Sequence, residues 1–178
     1  MYATFGTERV FREPPLAEVV VGLRDLAVNL IVTIGRHGDP SLFGAQPANV
    51  YIERYIPQSL LLPHCAAVVT HGGWNTMIQS LSFGLPTVVI PMGNGQEDQA
   101  DRLEAVGAGL RISNASWTPQ AIRDAMNSVM QDREYREQAQ RLRREGDALP
   151  GLESAVDLIE RLAVEQQPLF GHWSGVSR

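Results

Sequence analysis

Apolar and polar positions fall into alternating blocks along this chain. Six short runs are apolar nearly throughout: "YATF" (Tyr2–Phe5), "NLIVTI" (Asn29–Ile34), "NVYIE" (Asn49–Glu53), "AAVVT" (Ala66–Thr70), "TVVI" (Thr87–Ile90) and "AGLRI" (Ala108–Ile112). That is the pattern of strands covered on both faces rather than on one. Helical spacing separates them. Pro15–Ala27 places Leu16, Val19, Val20, Leu23 and Leu26 on one face, Gln58–Leu62 reads as a short turn of helix, Asn75–Phe83 stops at Gly84, and Asp98–Val106 stops at Gly107. After the last strand the pattern is all helical. Thr118 with Pro119 forms an N-cap and first turn ahead of Ile122, Ala125, Met126 and Val129. Arg133–Gly146 carries a thin stripe of Tyr135, Ala139 and Leu142. Leu152–Glu165 carries Leu152, Ala155, Val156, Ile159 and Leu162. Strands and helices in this order predict an α/β fold, a doubly wound parallel sheet of about six strands with C-terminal helices. One domain is expected over residues 1–166, followed by an irregular tail, 167–178, whose Phe170 and Trp173 need an apolar place to dock.

Composition narrows the classes of function. A chain of 178 residues with 44% apolar and 20% charged residues is long enough for one domain with a real core. Its net charge of −5 argues against a nucleic-acid or anionic-membrane partner. All fifteen basic residues are arginine. Cys65 is alone, so neither an internal disulfide nor a cysteine metal cluster can form, which fits a reducing, cytoplasmic setting. No two histidines stand at helical spacing with a carboxylate, so no metal site is expected. No window has the length of a membrane-spanning helix, and "MYATFGTERV" lacks the basic and apolar regions of a signal peptide.

Candidate chemistry gathers at the strand ends. In an open parallel sheet, ligands bind beyond the carboxyl ends of the strands. There stand "FGT" (Phe5–Thr7), "GRHGD" (Gly35–Asp39), "YIPQ" (Tyr55–Gln58), "HGGWNT" (His71–Thr76) and "PMGNGQ" (Pro91–Gln96). The glycines of "HGGWNT" let a ligand approach the backbone, and the first-turn N–H groups of the following helix face an anion without a lysine. Asn75, Thr76 and His71 can add donors, and "FGT" repeats the device with Gly6 and Thr7. The pair suggests a diphosphate. The competing reading of "HGGWNT" is a tight strand–helix turn around a buried histidine. Tyr55 and Trp74 can equally be packing residues, and Gln58 and Gln79 surface amides. Arg141, Arg143 and Arg144 read as a solvated helix face. "GAG" (Gly107–Gly109) precedes a strand, so it is not a dinucleotide fingerprint.

In order and spacing, "YIPQ", "HGGWNT", "SFGLPTVVIPMGNGQ" and "GAG" resemble the donor-binding half of glycosyltransferases with the GT-B fold, in particular the UDP-glycosyltransferase-like group that decorates natural products. The resemblance runs from about Tyr2 to Arg161. It implies that Tyr55 stacks on the nucleobase, that the backbone of Ile56 reads the pyrimidine edge, and that Gln58 meets the ribose region. It implies further that His71, Gly73, Asn75 and Thr76 hold the diphosphate with Gly6 and Thr7, that Trp74 lies beside the sugar, and that Gln96 bonds sugar hydroxyls. Two positions depart from the family's pattern. Gly95 stands where an acidic residue commonly precedes that glutamine, and Asp98–Gln99 falls three positions late. Gln79 stands five residues before Gly84, where members that use UDP-sugars often carry a glutamate on the ribose diol. An amide lacks the charge-assisted strength of that contact, which favours a dTDP-sugar as well as a UDP-sugar.

The resemblance also implies what lies elsewhere. The acceptor pocket and the general base belong to an N-terminal domain absent from this chain, so no catalytic residue is expected in this half and no cofactor beyond the nucleotide sugar itself. The expected partners are a nucleotide sugar and that acceptor domain, with a homo-oligomer left open. A reading of another class is a nucleotide-sugar-binding or partner subunit with no activity of its own.

Overall fold

The computed structural model describes residues 1–6, 14–93, 95–113 and 117–168. Thr7, Phe170 and Trp173 lie outside them. The chain divides into two compact units, Met1–Gly146 and Asp147–Arg178.

The first unit is built on a six-stranded parallel sheet. The strands are β1 (Tyr2–Thr4), β2 (Leu30–Thr33), β3 (Val50–Glu53), β4 (Val68–Thr70), β5 (Thr87–Val89) and β6 (Gly109–Arg111), in the spatial order β3-β2-β1-β4-β5-β6. The order runs one way from β1 to β3 and the other way from β4 to β6. A crevice therefore opens between the ends of β1 and β4, where a doubly wound sheet binds its ligand. Thr4 is in register with Thr33 on one side and with Thr70 on the other. The chain thus leaves β1, β2 and β4 at one level.

Each strand feeds both faces. From β1, Ala3 and Phe5 join Val32, Val69 and Val88 beneath α1 (Leu16–Leu23) and α5 (Pro119–Gln131), which contribute Val19, Val20, Leu23, Ile122, Met126 and Val129. From the same strands, Tyr2 and Val68 pack with Leu62 and Leu85 on the other face. Val89 packs there against α3 (Trp74–Ser82), α4 (Gln96–Ala105) and α6 (Arg133–Asp147) through Met77, Ala100, Leu103 and Ala139. This is why the strands read as apolar throughout: alternate side chains enter two separate cores. Arg136 Nη2 donates to Ala66 O at 2.7 Å and ties α6 to the approach of β4. In the second unit, α7 (Leu152–Glu165) is an amphipathic helix that stops where Gln166 turns left-handed at φ 50°.

Several element boundaries shift from the sequence expectation, most clearly in three helices. Helix α1 ends at Leu23 rather than Ala27, because the chain tightens into a turn in which Leu26 N–H donates to Leu23 O at 3.1 Å. Helix α3 starts one residue early, at Trp74. Helix α4 starts at Gln96 rather than Asp98, since Gly95 turns left-handed at φ 75° and sends the chain straight into helical geometry. The short α2 (Gln58–Leu61) follows Pro57 as expected, and a single 3-10 turn, Pro40–Phe43, occupies the β2–β3 connection.

Helices α1 and α5 approach closely at Gly22. A Cβ there would stand 2.5 Å from Pro119 O. Gly22→Ala is therefore expected to destabilise the fold by about 1–3 kcal/mol through overpacking. This should hold even though alanine is favoured in a helix interior by roughly 0.5–1 kcal/mol. Urea denaturation of the two proteins decides it; equal or greater stability of the alanine variant would show that the helices part without cost.

Candidate functional site

A cavity of about 750 Å³ lies at the switch point, lined from the ends of β1, β2, β3 and β4 and from α3. Of the residues expected from sequence, it brings together Gly6, Tyr55, Ile56, Gln58, His71, Gly73, Trp74, Asn75, Thr76 and Gln79. Gln96 does not line it. That side chain is buried, and its Oε1 accepts from Met92 N–H at 2.7 Å, so it fastens the β5–α4 turn. Thr7 falls outside the described residues.

The glycines around His71 have a specific steric reason. A Cβ on Gly73 would stand 2.5 Å from His71 Nε2, and a Cβ on Gly6 2.9 Å from His71 Cε1. The imidazole thus lies between two backbone segments, both of which must be bare. Gly72 is required twice over: its φ is 86°, and a Cβ would meet Val89 Cγ1 at 2.8 Å. His71 Nδ1 lies 3.3 Å from Thr70 Oγ1, and Phe5 packs at 6.4 Å between ring centroids.

Helix α3 begins at this histidine turn. Gly73 is its N-cap and supplies no side-chain cap to the first-turn N–H groups. That end of the helix is positive and opens on the cavity. Deeper in, Gln58 Nε2 donates to Thr76 Oγ1 at 3.3 Å, and Gln58 Oε1 is buried without a partner. At the mouth, Trp74 is 63% exposed and Tyr55 49% exposed, so a large part of each ring surface is available to a ligand. The Arg36 guanidinium sits 4.7 Å from the Tyr55 ring centroid, a cation–π contact.

No aspartate or glutamate among the described residues lines the cavity. Its one cationic side chain among the described residues is Arg54, whose Nε donates to Gly38 O at 3.1 Å, and His71 adds an imidazole. No group of three or more His, Cys, Asp or Glu among the described residues is disposed to hold a metal ion, and no helix among them is long and apolar enough to cross a membrane. A neutral-to-positive cavity with exposed backbone donors at one end and an aromatic ring at the other can hold an anion joined to a flat ring.

Sequence reasoning missed the floor of the cavity. Tyr2, Thr4 and Thr33 line it and are almost fully buried. Burial pushes the Tyr2 phenol above its ordinary pKa, so it remains a protonated donor. The available signal was polar-capable residues on one face of otherwise apolar strands, Tyr2 and Thr4 at period two on β1. Arg54, Ser59 and Phe83 also line the cavity and were not expected.

With this geometry, residues 17–162 match the family described as "Erythromycin biosynthesis protein CIII-like, C-terminal domain". The chain belongs to that family. It is 36% identical over 140 residues to 4'-demethylrebeccamycin synthase of Lentzea aerocolonigenes, a match covering 79% of this chain and 33% of that protein. It is 32% identical over 155 residues to aclacinomycin-T 2-deoxy-L-fucose transferase of Streptomyces galilaeus, covering 85% and 34%. The chain thus spans about a third of the length of these relatives. Among solved structures it resembles the glycotransferase of kitacinnamycin, with TM-score 0.80, 33% identity and coverage of 90% of this chain and 42% of that one. It also resembles the glycosyltransferase VinC in complex with dTDP, with TM-score 0.82, 26% identity and coverage of 92% and 41%. The chain is a C-terminal domain of the GT-B natural-product glycosyltransferase class, with the α/β fold expected from its strand pattern.

The packing at His71 can be tested without a ligand. Gly73→Ala is expected to shift the His71 ring signals in a 1H–13C NMR spectrum more than those of the other histidines, and to cost about 1–3 kcal/mol of stability by overpacking. An unmoved His71 signal would mean that the helix, not the imidazole, gives way.

Proposed function

We propose that this chain is the donor-binding half of an inverting glycosyltransferase. That enzyme moves a hexose or deoxyhexose from dTDP or UDP to a hydroxyl of a small aglycone. The observation that carries the reading is the uncapped N-terminus of α3, opening beside His71 onto a cavity that no carboxylate among the described residues lines. A diphosphate meets the N–H groups of Asn75 and Thr76 there, with the side chains of His71, Asn75 and Thr76 and the backbone at Gly73 close by. Gly6 and Thr7 supply the opposing phosphate loop. The base lies on Tyr55, its edge read by the Ile56 backbone. The orphaned Gln58 Oε1 accepts from a ribose hydroxyl, which restores the hydrogen bond a buried carbonyl oxygen otherwise lacks. Trp74 borders the sugar.

In the reaction, the acceptor oxygen attacks the anomeric carbon and forms the new C–O bond. The bond from that carbon to the β-phosphate oxygen breaks, and a base takes the acceptor's proton. The developing negative charge is on the leaving diphosphate. Donors fixed in place before the reaction stabilise that charge more than they stabilise the bound sugar nucleotide. This half therefore stabilises the leaving group, while the base and the acceptor pocket come from an N-terminal domain. No further cofactor takes part, and the protein works in the cytoplasm. The relative named as a 2-deoxy-L-fucose transferase and the neighbour solved with dTDP support a deoxysugar on thymidine diphosphate. So does Gln79, which lines the cavity as a neutral amide.

NMR shift mapping tests the site: UDP or dTDP should perturb Gly6, Tyr55–Gln58 and His71–Thr76, and shifts confined elsewhere would displace it. His71→Ala should lose one charge-assisted hydrogen bond, about 1.5–3 kcal/mol or roughly tenfold to hundredfold in affinity. Unchanged affinity with a lower melting temperature would make His71 a packing residue. UDP and dTDP should bind within about tenfold of each other, 1.4 kcal/mol, and Gln79→Glu should move the preference toward UDP. The chain alone should transfer no sugar to a phenolic acceptor, since a base must stand about 2.6–3.2 Å from the acceptor hydroxyl. Turnover above background would overturn the half-enzyme reading.

A further inference from the structure

One end of the cavity carries a cation that the donor-site motifs do not account for. Arg54 follows β3 directly, lines the cavity, and donates from Nε to Gly38 O at 3.1 Å across the β2–β3 connection. The Asp39 carboxyl on that connection is held below its ordinary pKa by hydrogen bonds with Ser41 and, less strongly, by the Arg54 charge, so the guanidinium stands close to this turn. A guanidinium has five N–H donors and no acceptor. With Nε committed to Gly38, the two Nη groups can offer a ligand only hydrogens. Position decides which part of the ligand receives them. Glu53, Thr33, Thr4 and Thr70 form one row across the sheet. Arg54 and His71 therefore leave β3 and β4 at the same level, three strand spacings apart, or about 14 Å. A guanidinium tethered at its Nε to the β2–β3 turn does not cross that distance to a diphosphate at the start of α3. Its neighbours in sequence, Tyr55 and Ile56, line the same end of the cavity.

Resting on the donor-binding reading above, we propose that Arg54 is a specificity-determining residue for the nucleobase: its guanidinium donates to the oxygen at C4 of uracil or thymine and disfavours cytosine, which carries an amino group there. The oxygen is an acceptor and the amino group a donor. Against the amino group, the hydrogens of Arg54 face hydrogens of the base, and both sets lose the water they would otherwise bond. Stacking on Tyr55 does not make this distinction, since every base has a π face. The two arginines of this end thus differ in what they engage. The Arg36 guanidinium lies 4.7 Å from the Tyr55 ring centroid, while Arg54 is turned to the cavity wall, beside the edge of a base lying on that ring. Arg54 is exposed, so water competes for its hydrogens, and the discrimination it supplies is nearer tenfold than the hundredfold of a fully enclosed, charge-assisted bond, as an order-of-magnitude estimate.

The test is titration of the full chain, parent and Arg54→Gln, with UDP, CDP and inorganic pyrophosphate at one salt concentration. The parent should prefer UDP to CDP. Glutamine replaces the donor-only fork by a neutral amide whose oxygen can accept from an amino group. The ratio of UDP to CDP affinity should therefore fall about tenfold in Arg54→Gln, while pyrophosphate affinity stays within about twofold. The edge contacts of the Ile56 backbone are common to parent and variant and cancel in that comparison. Displacement of the β2–β3 turn on loss of the Gly38 bond would lower UDP and CDP alike. An unchanged ratio, whatever the absolute affinities, would overturn the proposal and leave the donor-binding reading intact. So would a loss of pyrophosphate affinity as large as the loss of UDP affinity, which would make Arg54 a phosphate contact. A parent chain that binds no UDP would overturn both.

Discussion

The imidazole of His71 occupies a space that exists only because Gly6 and Gly73 have no side chains. This constraint couples the two halves of the sheet. Gly6 leaves β1 and Gly73 leaves β4, strands adjacent and in register at the point where the order reverses. One ring between them sets how far apart the two strand exits stand. It also sets where α3 begins, since Gly73 is the N-cap of that helix. The position of the uncapped first turn, and hence of the anion it suits, follows from the packing of an uncharged-sized ring against bare backbone. The question raised by an apolar strand that ends in a histidine and two glycines has a steric answer before it has a chemical one. The ligand-facing property is a consequence: the same bare backbone leaves the N–H groups accessible.

A proposed anion site in a chain with a net charge of −5 needs explanation, and the lining supplies it. No aspartate or glutamate among the described residues lines the cavity, and the positive potential within it comes from oriented backbone dipoles together with Arg54. Such dipoles need no counter-ion and act at contact distance, while the acidic surface beyond is screened within about 8–10 Å at ordinary salt. Arg36 stacked on Tyr55 adds a cation at the mouth. The global charge therefore bears on non-specific partners and the local dipoles on the ligand, two different length scales.

Most of the architecture was legible because the strands are apolar throughout and the helix stops are glycines, both local signals. The strand ends were legible for the same reason, and ten of the residues they suggested do share one cavity. What escaped was nonlocal. Thr4 and Thr33 read as ordinary β-branched strand residues, suited to strands by propensity alone. Only the register across β1 and β2 turns two threonines and a tyrosine into one hydrogen-bonded chain. Gln96 escaped in the opposite sense. The family resemblance puts it on the sugar, yet the turn made by Gly95 brings its carbonyl oxygen back onto Met92 N–H and leaves it off the cavity wall. The end of α1 was overrun because Leu26 keeps the helical spacing after the hydrogen-bond pattern has already tightened.

The cavity is held open in a state that leaves polar groups short of partners. Gln58 Oε1 is buried and unpaired, and α3 has no side-chain cap. Each such deficit costs of the order of 1–3 kcal/mol when water is excluded, and folded proteins carry few of them. Both, on two different elements of one cavity, are offset by the surrounding cores on the two faces of the sheet. That support is what allows the deficits to persist: β1 and β4 are fixed by packing on both faces, so the polar atoms between them cannot relax by local collapse. A ligand that satisfies them gains affinity without the protein having to reorganise, which is the physical content of a preorganised site.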